Sequence, residues 1–188
     1  MTALGPSRRL ARCKRFPQLN LSRSVRCRVR NKSRFGRAAE FGAWAHHEFA
    51  TLNLLHTAGA DVPCPVKAAS NAILIEFVGQ GGHPAPQLRD VRLSPAEAER
   101  LLEQALRNIE IMLSCSVVHG DLSAYNMLCL GGHLRVIDLP QAVDARTNRH
   151  AKSLLVRDVA NVCGYFAAHA PTPSLAHSLK NYGTSISG

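Results

Sequence analysis

An α+β fold is predicted for this 188-residue chain from three observations. Helix-period apolar stripes run near residues 38–57, 94–115 and 150–169. Short β-rich runs bounded by glycine or proline lie between them. Apolar residues make up 46% of the chain, enough for a buried core. Charge is unevenly spread: residues 1–37 hold 12 Lys/Arg and no acid, and the remainder holds 11 Lys/Arg against 13 acids. A neutral body with a basic leader fits this better than a globally basic nucleic-acid binder.

Residues 1–30 are rich in Arg and Ser and read as a mobile tail. A transit peptide has the same composition, and an RNA-contacting arm is a third reading. The leader lacks an apolar h-region, and no apolar run approaches the ~18 residues of a membrane span. Cys13, Cys27, Cys64, Cys115, Cys129 and Cys163 form no CxxC pair. Scattered thiols argue against disulfides or zinc and for a reducing, cytoplasmic setting. Those at 64, 115, 129 and 163 lie in apolar surroundings and read as small core residues.

The first helix, 38–57, carries Phe41, Ala45, Leu52 and Leu55 at offsets of three and four, with Gly59 as its cap. Glu48 falls on that same stripe; a carboxylate there either finds a cation or donors, or reaches solvent at the stripe edge. Val62–Val66 is extended because Pro63 and Pro65 bias their predecessors away from helix. Ala72–Val78 reads as a buried strand ending at Gly79. Ser94-Pro95-Ala96-Glu97 predicts a capping box with Pro at N1, opening a helix to about Cys115. Val117–Val118 and Leu134–Ile137 are short strands, and 150–169 is helical through Leu154, Leu155, Val159, Val162 and Phe166.

The chemistry-bearing stretch is Val118-His119-Gly120-Asp121-Leu122-Ser123-Ala124-Tyr125-Asn126, followed by Val136-Ile137-Asp138. One carboxylate in a loop, a carboxamide five residues on, and a second carboxylate at a strand end suit phosphoryl transfer. The first orients a hydroxyl and accepts its proton; the other two hold Mg²⁺ on phosphates. H-x-D-x-x-x-x-N, a strand and then Asp is the order of a kinase catalytic loop and metal-binding Asp. His119 reads as a brace for the loop, with a general-base role as the competing reading. No His pair has the spacing of a metal motif.

From Asn31 to about His169 the chain resembles the RIO family of atypical serine/threonine protein kinases, especially its bacterial members. The segments carrying the resemblance are N-K-S-R-F-G-R (31–37), W-A-H-H-E-F (44–49), L-I-E-F-V-G (74–79) and P-A-P-Q-L (84–88). They continue in H-G-D-L-S-A-Y-N (119–126), V-I-D-L-P-Q-A-V-D (136–144) and L-L-V-R-D-V-A-N-V-C-G-Y-F (154–166). The resemblance implies Asp121 as catalytic residue, Asn126 and Asp138 as metal ligands, and transient phosphorylation of Asp138. It implies that Glu48 pairs with an ATP-binding lysine, that Ile75 is the gatekeeper, and that Glu76 and Val78 offer backbone groups to adenine. ATP is the implied co-substrate and Mg²⁺ the cofactor.

The family places a phosphate-binding loop and an A-V-K strand upstream of the segment at Asn31. Nothing in residues 1–30 reads as such a strand, so no residue carries over as the ATP lysine. The expected fold is therefore α+β and protein-kinase-like, mostly the helical C-terminal lobe with a truncated N-terminal lobe. The expected organisation is a basic tail (1–30), a partial kinase-like domain (31–170) and a C-terminal tail (171–188).

Three functions follow as expectations. The first is a Mg²⁺-dependent serine/threonine kinase or ATPase of unknown protein substrate, inactive if phosphate loop and lysine are missing. The second is an aminoglycoside-type small-molecule phosphotransferase, disfavoured by Leu139-Pro140-Gln141 after Asp138. The third is a non-catalytic nucleotide-binding or ribosome-associated module whose basic tail contacts RNA. No membrane partner is expected.

Overall fold

The structure, a computed structural model, describes residues 34–69 and 72–169, with side chains from Trp44 onward. The expected tails, 1–30 and 171–188, lie outside the described residues, as do Cys13, Cys27 and the side chain of Phe41.

Helix α1 (Arg34–Thr57) starts four residues before the predicted boundary. Ala45, Leu52 and Leu55 bury its apolar stripe. Its end is a Schellman motif: Gly59 takes φ +86°, its N–H donates to His56 O, and Ala60 N–H donates to Leu55 O.

Strands β1 (Pro65–Ala68) and β2 (Ile73–Ile75) form an antiparallel pair against which α1 packs, with a register shift between Pro65 and Lys67. The expectation of a buried strand over 72–78 is corrected here. β2 is only three residues long, and Leu74 and Phe77 are 58% and 62% exposed. Among the described residues the sheet has two strands and one covering helix, which leaves apolar side chains of its other face in solvent, whatever their hydrophobicity. The chain continues through β3 (Gly79–Gln80), β4 (His83–Pro84) and a 3₁₀ turn (Leu88–Asp90).

Helix α2 (Pro95–Ser114) opens on the predicted capping box. Ser94 Oγ accepts from Glu97 N–H, and Glu97 Oε2 accepts from Ser94 N–H at 2.9 Å. Its buried face, from Ala98 to Met112, meets α3 (Ala151–His169), where Val162 and Phe166 are fully buried. Between these helices lie β5 (Val117–Val118), paired with β8 (Val143–Asp144), and a hairpin of β6 (Met127–Leu130) and β7 (His133–Val136). β6 is absent from the sequence expectations. Gly131 and Gly132, both at positive φ, close the hairpin in the two-residue turn whose twist matches paired strands. Met127, Cys129, Leu134 and Val136 point into the core; Leu128, Leu130, His133 and Arg135 form the other face.

One buried polar node ties these layers. Asp61, after α1, donates its N–H to Asn108 Oδ1 at 2.6 Å and accepts from Asn108 Nδ2 at 3.0 Å, while its carbonyl accepts from Val136 N–H at 2.8 Å. Asn108 is fully buried and would be costly there unpaired. The node thus registers α1, α2 and β7 against one another.

Candidate active site

The loop 119–126 joins β5 to β6, and its shape follows from local chemistry. Gly120 holds φ +82°, and a Cβ there would stand 2.7 Å from Gln141 O, so the glycine is required on two counts. His119 is buried. Its Nε2 donates to Ile137 O at 3.0 Å, and its Nδ1 accepts from Asp121 N–H at 3.3 Å. The ring therefore links the loop to the residue before Asp138. Burial holds its pKa below the ordinary histidine value, with the Ile137 bond and nearby carboxylates acting the other way.

Asp158 of α3 holds the loop from beneath. Its Oδ2 accepts from Gly120 N–H at 2.7 Å and its Oδ1 from Leu122 N–H at 3.1 Å. Arg157 donates to Gly120 O, and Asn161 Nδ2 donates to Leu122 O at 3.3 Å. Asp158 is 1% exposed, and desolvation raises its pKa despite the two N–H donors. Asp158 is absent from the site residues that the sequence predicts. A signal existed: Asp158 falls on the stripe of Leu155, Val162 and Phe166, the pattern that marked Glu48.

Asp121 itself is exposed. Asn126 Nδ2 donates to Asp121 O at 2.9 Å and to Asp121 Oδ2 at 3.3 Å, which turns Asn126 Oδ1 away from that pair. Asn126 O accepts from Ile137 N–H at 3.0 Å, so Asn126 and Asp138 flank the hairpin base. Asp138 is exposed at φ +65°, a left-handed conformation costly for a residue with a Cβ. The three predicted residues Asp121, Asn126 and Asp138 are thus brought together. Among the described residues no three His, Cys, Asp or Glu side chains cluster in the manner of a dedicated metal cage.

Glu48 on α1 is half-buried. Burial first, and the negative charge of Asp138 second, raise its pKa. The helix thus turns Glu48 toward the site, but it forms no ion pair among the described residues. The expected lysine contact is not seen there.

Ile75 is the last residue of β2, and Glu76 and Val78 lie in the connection between β2 and β3. Glu76 N–H donates to Cys64 O at 2.8 Å, and Val78 O accepts from Ala85 N–H at 2.9 Å. The complementary groups, Glu76 C=O and Val78 N–H, have no hydrogen-bond partner among the described residues. Both residues border a cleft of about 250 Å³ shared with Leu130, His133 and Arg135 of the hairpin. Those three hairpin residues were not anticipated; their face became defined only once β6 paired with β7.

The four described cysteines are free; Cys115 and Cys129 are buried in the core as expected, whereas Cys64 and Cys163 are only half-buried, which corrects the expectation of core residues there, and burial pushes the Cys129 and Cys163 thiols up. No described helix is long and apolar enough to cross a membrane.

This geometry has relatives. The chain is 36% identical over 128 residues to the human serine/threonine-protein kinase RIO1, covering 68% of this chain and 22% of that protein. It is 34% identical over 141 residues to the RIO-type serine/threonine-protein kinase Rio1 of Thermoplasma acidophilum, covering 74% and 72%. The chain therefore spans under a quarter of the human relative's length but nearly three-quarters of the archaeal one. Its fold matches the Rio2 kinase of Chaetomium thermophilum, crystallised as an ADP/Mg²⁺-phosphoaspartate complex, with TM-score 0.63 and 22% identity, over 89% of this chain and 52% of that one. The fold is thus α+β and kinase-like. A family model of the RIO domain matches residues 11–178, and the chain belongs to the RIO family of atypical protein kinases.

Proposed function

We propose that this chain is a Mg²⁺-dependent serine/threonine kinase or ATPase of the RIO type, working with ATP in the cytoplasm. The observation that carries the reading is the Asp121–Asn126–Asp138 arrangement on a doubly braced loop. Asp121 stands exposed with its backbone fixed by His119, Asp158 and Arg157. It can orient a substrate hydroxyl and take its proton as the oxygen attacks the γ-phosphorus and the bond to ADP breaks. The Oδ1 of Asn126 and the carboxylate of Asp138 are hard oxygen donors on one side of the hairpin base. They suit Mg²⁺, which takes one or two protein ligands and completes its shell with phosphate oxygens and water. When bound, that ion would neutralise charge on the phosphates. Glu76 C=O and Val78 N–H are an acceptor and a donor spaced for an adenine edge. The archaeal and human kinases and the nucleotide complex of the fungal neighbour support the reading. By the same reading Asp138 also accepts phosphate transiently.

A second reading has one observation in its favour. Glu48 faces a carboxylate and no described cation, as suits a nucleotide-binding module without turnover. Calorimetry of Mg·ATP binding and single-turnover hydrolysis decide between them. Asp138→Ala should abolish Mg²⁺-dependent binding. Asp121→Ala should keep affinity within a few-fold and lower turnover ~10²-fold or more. Unchanged Mg·ATP affinity in Asp138→Ala would remove the metal assignment. Binding without turnover in the wild-type chain would favour the non-catalytic module.

A further inference from the structure

The free acceptor and donor at Glu76 C=O and Val78 N–H do not by themselves select a purine. Adenine and cytosine both present an amino donor beside a ring-nitrogen acceptor on one edge. Discrimination between them has to come from the ring face, where the purine is larger. The cleft of about 250 Å³ supplies such a surface, because Leu130 and Arg135 of the β6–β7 hairpin line it together with Glu76 and Val78. Its volume is below the ~300–1,000 Å³ typical of pockets for drug-sized ligands, which suits a base with its sugar and phosphates outside. Arg135 alternates along β7 with Leu134 and Val136, which are fully buried, so its side chain stands on the cleft side. One corner of its guanidinium is held: Nη1 donates to Leu134 O at 3.2 Å and lies 3.8 Å from Asp61 Oδ1. Nε and Nη2 make no hydrogen bond among the described residues, and the side chain is 35% exposed, so the flat face stays open. Asp138 follows three residues later, about 10 Å along an extended strand, which leaves that length for sugar and phosphates.

Resting on the kinase reading, we infer that Arg135 selects the nucleobase: its guanidinium plane lies against the face of a purine whose edge is read at Glu76 and Val78. A guanidinium stacks on aromatic faces by cation–π attraction, and a bicyclic purine offers it more surface than a pyrimidine. Leu130 extends the same wall with apolar surface. Asp61 does not cancel the cation, because its contact at 3.8 Å is long and its carboxylate is shared with Arg107 at 3.4 Å.

The test measures the affinities of adenosine, cytidine and Mg·ATP for the full chain by calorimetry. Wild type should bind adenosine at least ~10-fold more tightly than cytidine, the scale of a stacking contact. Arg135→Gln should weaken adenosine about 5- to 10-fold and cytidine less than about 2-fold. Mg·ATP should weaken by the same factor as adenosine, because the lost contact is to the base. An unchanged adenosine-to-cytidine ratio in Arg135→Gln overturns the inference, as does a wild-type chain that binds neither nucleoside. So does a loss confined to Mg·ATP, which would put Arg135 on the phosphates, or an equal loss for both nucleosides, which would mean a collapsed cleft. The kinase reading fails separately: it falls if Mg²⁺ adds nothing to wild-type ATP affinity, and the two nucleosides then still decide the role of Arg135.

Discussion

Removing the Asp158 carboxylate should uncouple the catalytic loop from the helix beneath it. In Asp158→Ala the N–H groups of Gly120 and Leu122 lose acceptors at 2.7 and 3.1 Å in a fully buried setting. Each stranded donor costs about 1–3 kcal/mol. Against this, the raised pKa of Asp158 says that burying its charge costs more than the two N–H donors return. A net loss of roughly 3 kcal/mol is therefore expected. Asp158→Asn keeps one acceptor oxygen and should lose less.

The two effects separate by pH. A carboxylate whose folded pKa lies above 3.8 binds more protons folded than unfolded in the window between those values. Its stabilising contribution is full below 3.8 and is lost as pH rises through the folded value. Wild type should accordingly gain on Asp158→Asn as pH falls from 7 toward 4. Urea unfolding across that range, with amide exchange read at Gly120 and Leu122, measures both. Asp158→Ala unfolding within about 0.5 kcal/mol of wild type, with exchange unchanged at those amides, would refute the claim that α3 holds the loop.

Other expectations concern single residues. Glu48→Gln should leave stability unchanged or raise it slightly at pH 7, because it removes a half-buried charge facing Asp138; a thermal melt showing clear loss would mean that Glu48 has a cation partner. Gly120→Ala should cost about 2–4 kcal/mol, from the left-handed backbone plus the approach to Gln141 O, and denaturant titration measures it. The folded pKa of His119 lies below 6.5, so stability is full above 6.5 and falls as pH drops through that value toward the folded one. His119→Gln should flatten that acid limb in melts between about pH 5 and 7.5.

The Asp138 backbone connects fold to function. Its left-handed φ is maintained because Ile137 is held on both sides, by His119 at its carbonyl and by Asn126 at its N–H. The strain sits where the proposed metal ligand must turn out of the hairpin into the site. The packing of His119 thus sets the position of Asp138 without the ring needing to touch substrate.

Much of this was legible in the residues themselves. The capping box at Ser94, the helix stop at Gly59 and the spacing from Asp121 to Asn126 to Asp138 depend on neighbours a few positions away, and local chemistry decides them. Tertiary structure decided the rest. Whether Leu74 and Phe77 are buried depends on how many strands and helices cover them, which no periodicity encodes. β6 was missed because Met127–Leu130 becomes a strand only by pairing with β7. Asp158 took its role from backbone N–H groups 36 and 38 residues away, a partnership that exists only after α3 packs beneath the loop. A sequence shows that a carboxylate lies on an apolar stripe. Only the fold shows which donors come to meet it, because desolvation and hydrogen bonding act between groups near in space and far apart in the chain.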